Sequence, residues 1–187
     1  MKKFELTNEF VTNMFGTKLF RIRALVEFGD VEAGELGGYV EKESNLGHDD
    51  NAWVYGDARV YDNALVYDNA RVYGDAQVSG DARVYDNARV YGDAWVYGNA
   101  RVCGDALVCG DARVCGNGDY AYAHGFGSVN RTTTFFRLKD GGVGVRCGCF
   151  YGTLAQFRDK IRETHGETKK AQEYLMLADL MKLRFEK

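Results

Sequence analysis

The chain has 187 residues, of which 45% are apolar, and a formal net charge of −3. This length and composition suit one domain, or a core with small caps, that buries a packed interior. The mild charge excludes nucleic-acid or membrane binding driven by overall charge, and the absence of a signal peptide or a long apolar run predicts a cytoplasmic protein.

Residues 1–45 are not repetitive and predict an N-terminal β cap. Two strands are expected, over residues 3–6 and 18–25, with a turn near Gly16 between them. A glycine-rich passage follows. Val40 and Leu46 fall in the alanine phase of the repeat that comes next, so irregular coil is expected to begin there.

An internal repeat dominates residues 46–118. Eleven valines recur every six residues from Val54 to Val114, an alanine stands two places before each, and a pair such as Gly-Asp or Asp-Asn ends the unit. Alternation of Ala and Val with polar or aromatic residues is typical of a short half-buried strand. The pairs are typical of sharp corners, because Gly, Asn and Asp accept a left-handed backbone.

Strands this short bury nothing alone, so the units are expected to coil around a shared Val and Ala interior, three units to a coil. Roughly sixty-six residues make somewhat under four coils, and at about 4.8 Å per coil the rod is only about 18 Å long. Both ends of so short a rod need a cover.

Residues 119–187 predict a C-terminal α+β cap of ββαα type. Residues 132–138 and 143–150 flank Lys139-Asp140-Gly141-Gly142, a strong hairpin signal. Thr153 and Gln156 predict a capping box for one helix, which Gly166 ends. A second helix, over about residues 169–185, has apolar residues on two faces and is expected to pack on two surfaces.

The repeat resembles the left-handed parallel β-helix of hexapeptide-repeat proteins, in which an aliphatic residue and a small residue four positions later recur, as Val54 and Ala58 do. The stretches FGDV, GGYV and WVY, at residues 28–31, 37–40 and 53–55, narrow the resemblance to the YdcK-like group of bacterial, prophage and phage proteins. The fold class implied is mainly β: a short left-handed β-helix with an N-terminal strand cap and the C-terminal ββαα cap.

The hexapeptide resemblance implies one catalytic alternative, a trimeric acyltransferase that uses acyl-CoA and a histidine as general base. His124, at the end of the array, is the candidate catalytic residue. No histidine interrupts the repeat and no extruded loop shapes an acceptor pocket, so catalysis is the less favoured hypothesis. No cofactor is expected unless the protein is such an acyltransferase. His165 precedes Gly166, where an imidazole can bond the last helical carbonyls.

The five cysteines predict neither a disulfide nor a metal site. Cys103, Cys109 and Cys115 stand six apart and so lie on different walls of the rod, too far apart to be joined. We expect that they replace tyrosine because the C-terminal cap packs on the last coil. Cys147 and Cys149 are interpreted as buried thiols of one strand, with a reactive pair beside Arg146 as the alternative.

One wall of the rod is a candidate binding surface. Residues eighteen apart stack on the same wall, and on this wall they form rows of arginine and tyrosine. Arginines and tyrosines there could pair with phosphates and stack on bases, although such ladders also support neighbouring strands of any parallel solenoid. Residues 51–117 hold nine Asp and six Arg, so a nucleic-acid partner is not expected. The predicted binding residues are Arg71, Tyr73, Arg89 and Tyr91 on the wall, and Arg131, Thr132, Thr133 and Thr134 near its end.

A rigid rod with two caps favours a non-enzymatic binding or interaction module for a protein partner or a small anionic ligand. The phage-like resemblance implies an inhibitor of a host complex or a sequestering protein. Outward aromatic walls and the two-faced last helix predict self-association.

Overall fold

The computed structural model describes residues 2–127 and 130–186 and shows a β-solenoid between two caps. Three strands precede the array: β1 (Phe4–Thr12), β2 (Lys18–Ala24) and β3 (Leu36–Val40), with a 3₁₀ turn at Glu43–Asn45. The array strands are β4 (Trp53–Val54), β5 (Arg59–Val60), β6 (Leu65–Val66), β7 (Arg71–Val72), β8 (Gln77–Val78), β9 (Arg83–Val84), β10 (Arg89–Val90), β11 (Trp95–Val96), β12 (Arg101–Val102), β13 (Leu107–Val108) and β14 (Arg113–Val114). The C-terminal elements are β15 (Tyr120–Phe126), β16 (Arg131–Arg137), β17 (Val143–Cys147), β18 (Phe150–Thr153), α1 (Leu154–His165) and α2 (Lys169–Phe185).

The array strands stack as three parallel sheets, each forming one wall of the solenoid. Wall 1 holds β4, β7, β10 and β13, wall 2 holds β5, β8, β11 and β14, and wall 3 holds β6, β9 and β12. Each strand pairs with the one eighteen residues further on, as Val84 does with Val102. The predicted solenoid with three units to a coil is therefore confirmed.

The repeat places its small and branched residues inside. Every repeat alanine and valine from Ala52 to Val114 is fully buried. The first residue of each corner pair from Gly56 to Gly110, whether Gly or Asp, has a positive φ. The corner pairs therefore supply the left-handed backbone for which their residue types were predicted.

The N-terminal strands extend wall 2. Strand β3 pairs in parallel with β5, and β2 and β1 add antiparallel strands beyond it. Phe4, Ile22 and Trp53 belong to the same buried core as the array interior. The first residues thus cover the N-terminal end of the solenoid.

The predicted phase of Val40 and Leu46 is wrong. They pair with Val60 and Val66, twenty residues further on, and so take valine positions rather than alanine positions. The corner before Val54 is two residues longer than the later corners, and this shifts the pattern by two.

The C-terminal cap is larger than the predicted ββαα unit. Strands β15 and β18 flank the predicted β16–β17 hairpin and complete a four-stranded antiparallel sheet. Tyr120 and Phe136 join the solenoid core from this side. The Tyr120 hydroxyl lies 3.7 Å from Cys103 Sγ, and Cys109 is only 2% exposed. Both agree with the expectation that cysteine replaces tyrosine where the last coil is packed against. Cys115, by contrast, is exposed.

The two helices pack on the C-terminal sheet. The predicted Thr153–Gln156 capping box begins α1, and Gly166 follows its last residue. Within this chain α2 buries one face, and large apolar side chains on the other face are exposed: Met176, Leu180 and Leu183. The buried face of α2 contacts both the C-terminal sheet and α1, so the expected packing on two surfaces is confirmed, while the outer stripe stays exposed in the single chain. In the described part of the chain, no helix is long and apolar enough to cross a membrane.

Candidate functional site

Wall 1 carries the predicted arginine and tyrosine ladders. Arg71 pairs with Arg89 across adjacent strands, and the rings of Tyr73 and Tyr91 stack with centroids 4.9 Å apart and planes 1° apart. The six-residue unit repeats three times per coil, so identical unit positions meet on one wall. The structure thus brings all four predicted wall residues together.

The rings of Tyr73 and Tyr91 pack against their neighbours on wall 1. Tyr73 and Tyr91 turn ring faces to each other, and Arg146 lies over the Tyr91 ring with its guanidinium carbon 6.0 Å from the centroid. Burial raises the pKa of both phenols, so they stay neutral. Because Tyr91 contacts both Tyr73 and Arg146, we assign its ring to wall packing rather than to base stacking, whereas Tyr73 also lines a cavity.

Asp30 from the N-terminal cap holds one end of the wall. Its carboxylate accepts a 3.0 Å hydrogen bond from the Tyr55 hydroxyl and a 2.8 Å ion pair from Arg71 Nη1. Burial alone would raise the pKa of Asp30, but the Tyr55 hydrogen bond and the Arg71 charge lower it overall. A cavity of about 350 Å³ lies here, lined by Asp30, Tyr55, Arg71, Tyr73 and Arg89.

A second cavity, of about 360 Å³, continues from Arg89 toward the C-terminal cap. Its lining residues are Asn87, Arg89, Asp105, Leu107, Arg131, Thr132 and Gly148. The two cavities share Arg89, and we call them together the wall groove. The Arg131 guanidinium lies so close to Gly148 that a side chain at that position would collide with it.

The charges of the wall groove are unequally matched. Arg71 is paired with Asp30, whereas within residues 2–127 and 130–186 no carboxylate lies within 4.0 Å of the Arg89 or Arg131 guanidinium. Both of these arginines are exposed. The groove therefore holds two guanidiniums without a carboxylate partner in the described residues, and guanidinium makes some of the strongest polar contacts with anions.

The predicted threonine cluster divides in two. Thr132 lines the groove, but Thr133 and Thr134 are fully buried. The Thr133 hydroxyl donates to Cys147 Sγ over 3.1 Å, and Thr134 Oγ1 accepts the Leu107 backbone N–H over 2.9 Å. The prediction that Thr133 and Thr134 offer donors to a ligand is wrong, because both faces of β16 are covered.

His124 lies beside the groove rather than in a closed site. Its Nδ1 shares a 2.9 Å hydrogen bond with Thr132 Oγ1, and Asp105 Oδ2 is 3.9 Å away, beyond hydrogen-bond reach. Its side chain is 59% exposed. His165 stacks on Tyr174 with centroids 6.0 Å apart. Neither geometry forms a water-excluded reaction site around an imidazole.

The second pair of cysteines differs from the prediction. Strand β17 ends at Cys147, and Cys149 lies in the two-residue turn before β18 and is exposed. The two thiols therefore do not share a strand face. Across the described ranges, no three His, Cys, Asp or Glu residues are grouped closely enough to hold a metal ion.

Six groove residues were not among the predicted binding residues: Asp30, Tyr55, Asn87, Asp105, Leu107 and Gly148. Asn87 and Asp105 stand eighteen apart at one corner, and Asn87 Nδ2 donates to Asp105 Oδ1 over 3.2 Å. The repeat period could have revealed that pair. Nothing in the sequence places Asp30 beside Arg71, since 41 residues separate them.

Comparison with known proteins identifies the array. Seven overlapping segments between residues 52 and 116 match the family described as YdcK beta solenoid repeat. The match spans the walls and neither cap, and it confirms the resemblance inferred from the sequence. A search of curated proteins found no match to the chain.

Proposed function

We propose that this YdcK-like repeat protein is a non-enzymatic binding module that captures a small anion in the wall groove. The observation that carries the proposal is the pair of guanidiniums, Arg89 and Arg131, that face the groove without a carboxylate partner in the described residues. A solenoid suits this task because its backbone ladder holds Arg89 on a rigid surface, and strand β16 of the C-terminal cap brings Arg131 to the same groove.

The groove favours a small ligand over a nucleic acid. Three guanidiniums face two carboxylates, so the surplus charge is slight and local. Thr132 and Asn87 add hydrogen-bonding groups at the same end. A compact ligand with two anionic groups, such as a diphosphate, matches two adjacent guanidiniums. A sequestering or inhibitory role toward a host would act through this surface.

Titration calorimetry with pyrophosphate at low salt tests the proposal. Hydrogen bonds to charged groups contribute about 1.5–3 kcal/mol, so Arg89→Gln should weaken binding about tenfold or more. Arg83→Gln is the matched control, because Arg83 is exposed at the same unit position on wall 3. Equal losses in both variants, or no pyrophosphate binding by the wild type, would refute the proposal.

The acyltransferase alternative requires a different outcome. Incubation with acyl-CoA and an amine or hydroxyl acceptor would release free CoA, and His124→Ala would abolish that release. Such a result would replace the binding proposal. We expect no release above the protein-free control, because His124 is exposed and shapes no acceptor pocket.

Self-association is the second part of the proposal, with a second copy of the chain as the partner. Met176, Leu180 and Leu183 form one outer stripe of α2 and are 71%, 56% and 68% exposed. A two-fold pairing of copies would cover the same stripe on both. Light scattering should show an oligomer that Leu180→Glu dissociates, and a monomeric wild type at high concentration would exclude it.

A further inference from the structure

The C-terminal cap contains a cavity that neither the array nor the wall groove explains. It measures about 270 Å³ and lies between the C-terminal sheet and the two helices. Its lining residues are Arg131, Cys147, Cys149, Phe150, Phe157, Lys160, Ile161, Thr164, His165 and Tyr174. The volume equals the liquid share of roughly nine water molecules, which is the size of a small ring with one substituent.

The interior of this cap cavity is apolar with a few polar groups. Phe157 and Ile161 are buried, and Phe150 lies 5.4 Å from Phe157 between ring centroids. Tyr174 OH lies 3.8 Å from Cys147 Sγ, and burial raises the pKa of Tyr174 to about 12, so the phenol remains a neutral donor. An apolar wall with convergent polar groups is typical of small-molecule sites.

The charged residues at the cap cavity are both basic. They are Arg131 and Lys160, and none of the ten lining residues is Asp or Glu. Lys160 Nζ forms an ion pair with Glu163 on the surface over 2.9 Å. Arg131 is therefore the basic lining residue that is available to a ligand. An occupant with a negative end and an apolar body complements both halves of this cavity.

We propose that the cap cavity is a second binding site, for a small organic acid whose aromatic or branched apolar body lies on Phe150, Phe157 and Ile161 and whose carboxylate meets Arg131. This site does not depend on the proposed function of the wall groove. Arg131 lines both concavities, so it is the one residue through which the two could compete.

Backbone-amide NMR titration with benzoate tests the site, with benzamide as the uncharged isostere. Saturable shifts should appear at Ile161, Thr164 and Tyr174 below about 10 mM benzoate, and benzamide should bind about tenfold more weakly. Arg131→Gln should weaken benzoate about tenfold and leave benzamide unchanged. The control is Arg162→Gln, because Arg162 lies on α1 outside the cavity lining.

A variant that blocks the cavity tests whether the NMR shifts come from binding inside it rather than from charge attraction at the surface. Thr164 is exposed at the cavity lining, so Thr164→Trp should obstruct entry and abolish the shifts from both probes while the melting temperature is retained. The proposal is overturned if no cavity residue shifts saturably, if shifts arise only around Asn87 and Arg89, or if benzamide binds as well as benzoate. Pyrophosphate binding by the wall groove is measured separately and can fail or succeed independently.

Discussion

Replacing Val84 by aspartate tests the inward assignment of the repeat. Val84 is fully buried on wall 3 between Val66 and Val102, within an interior of valine and alanine. Loss of its apolar groups costs about 1.6 kcal/mol, at about 0.8 kcal/mol per methylene equivalent. A carboxyl without a hydrogen-bond partner adds about 2–7 kcal/mol. Together these approach the entire net stability of a small domain, about 5–15 kcal/mol.

Thermal and urea unfolding, followed by circular dichroism, measure this loss. The neighbouring residue gives the control, because Arg83 is exposed in the same strand and Arg83→Asp places the same carboxylate side chain outside. Burial raises the pKa of the introduced carboxyl in the folded state, so the destabilisation of Val84→Asp should be smallest at acidic pH and grow as pH rises. If Val84→Asp and Arg83→Asp have the same melting temperature and the same urea midpoint, the assignment of the valine row to the interior is wrong.

Three further predictions address a corner, the wall groove and the N-terminal cap. Gly98→Ala should lower the melting temperature more than Gly56→Ala: both have positive φ, but only at Gly98 would the new Cβ meet a backbone oxygen, at 2.5 Å; equal shifts would contradict the close packing of coils. Asp30→Asn should tighten pyrophosphate binding in calorimetry, because it releases Arg71, and unchanged affinity would place Arg71 outside the site. Burial lowers the pKa of Lys3 from 10.5 to about 8. Between these two pH values the unfolded state binds more protons than the folded state, so the free energy of unfolding should rise with pH. Urea unfolding of Lys3→Met should lack that rise.

The solenoid was predictable because local and long-range requirements coincide within one six-residue unit. The same Ala and Val that set the strand also face the shared interior, and the same Gly or Asp forms the corner. The N-terminal phase was not predictable in this way. A corner lengthened by two residues leaves Val40 and Leu46 apolar but moves them to another position of the coil.

The candidate site was predictable only where the repeat positions it. Arg71 and Arg89 follow from the period, whereas Arg131 and Asp30 arrive from the two caps through tertiary packing. The threonine prediction failed for a related reason. A run such as Thr132–Thr134 reads as polar surface, but the solenoid covers one face of β16 and the helices cover the other.

Native mass spectrometry of freshly purified protein tests the central claim most directly, because it reports what the wall groove retains from the cell. The account predicts a small anionic adduct on the wild type and on Arg83→Gln that is absent from Arg89→Gln, because Arg89 lines the wall groove and not the cap cavity. An adduct of CoA mass on a trimer, or an adduct that survives Arg89→Gln, would contradict it.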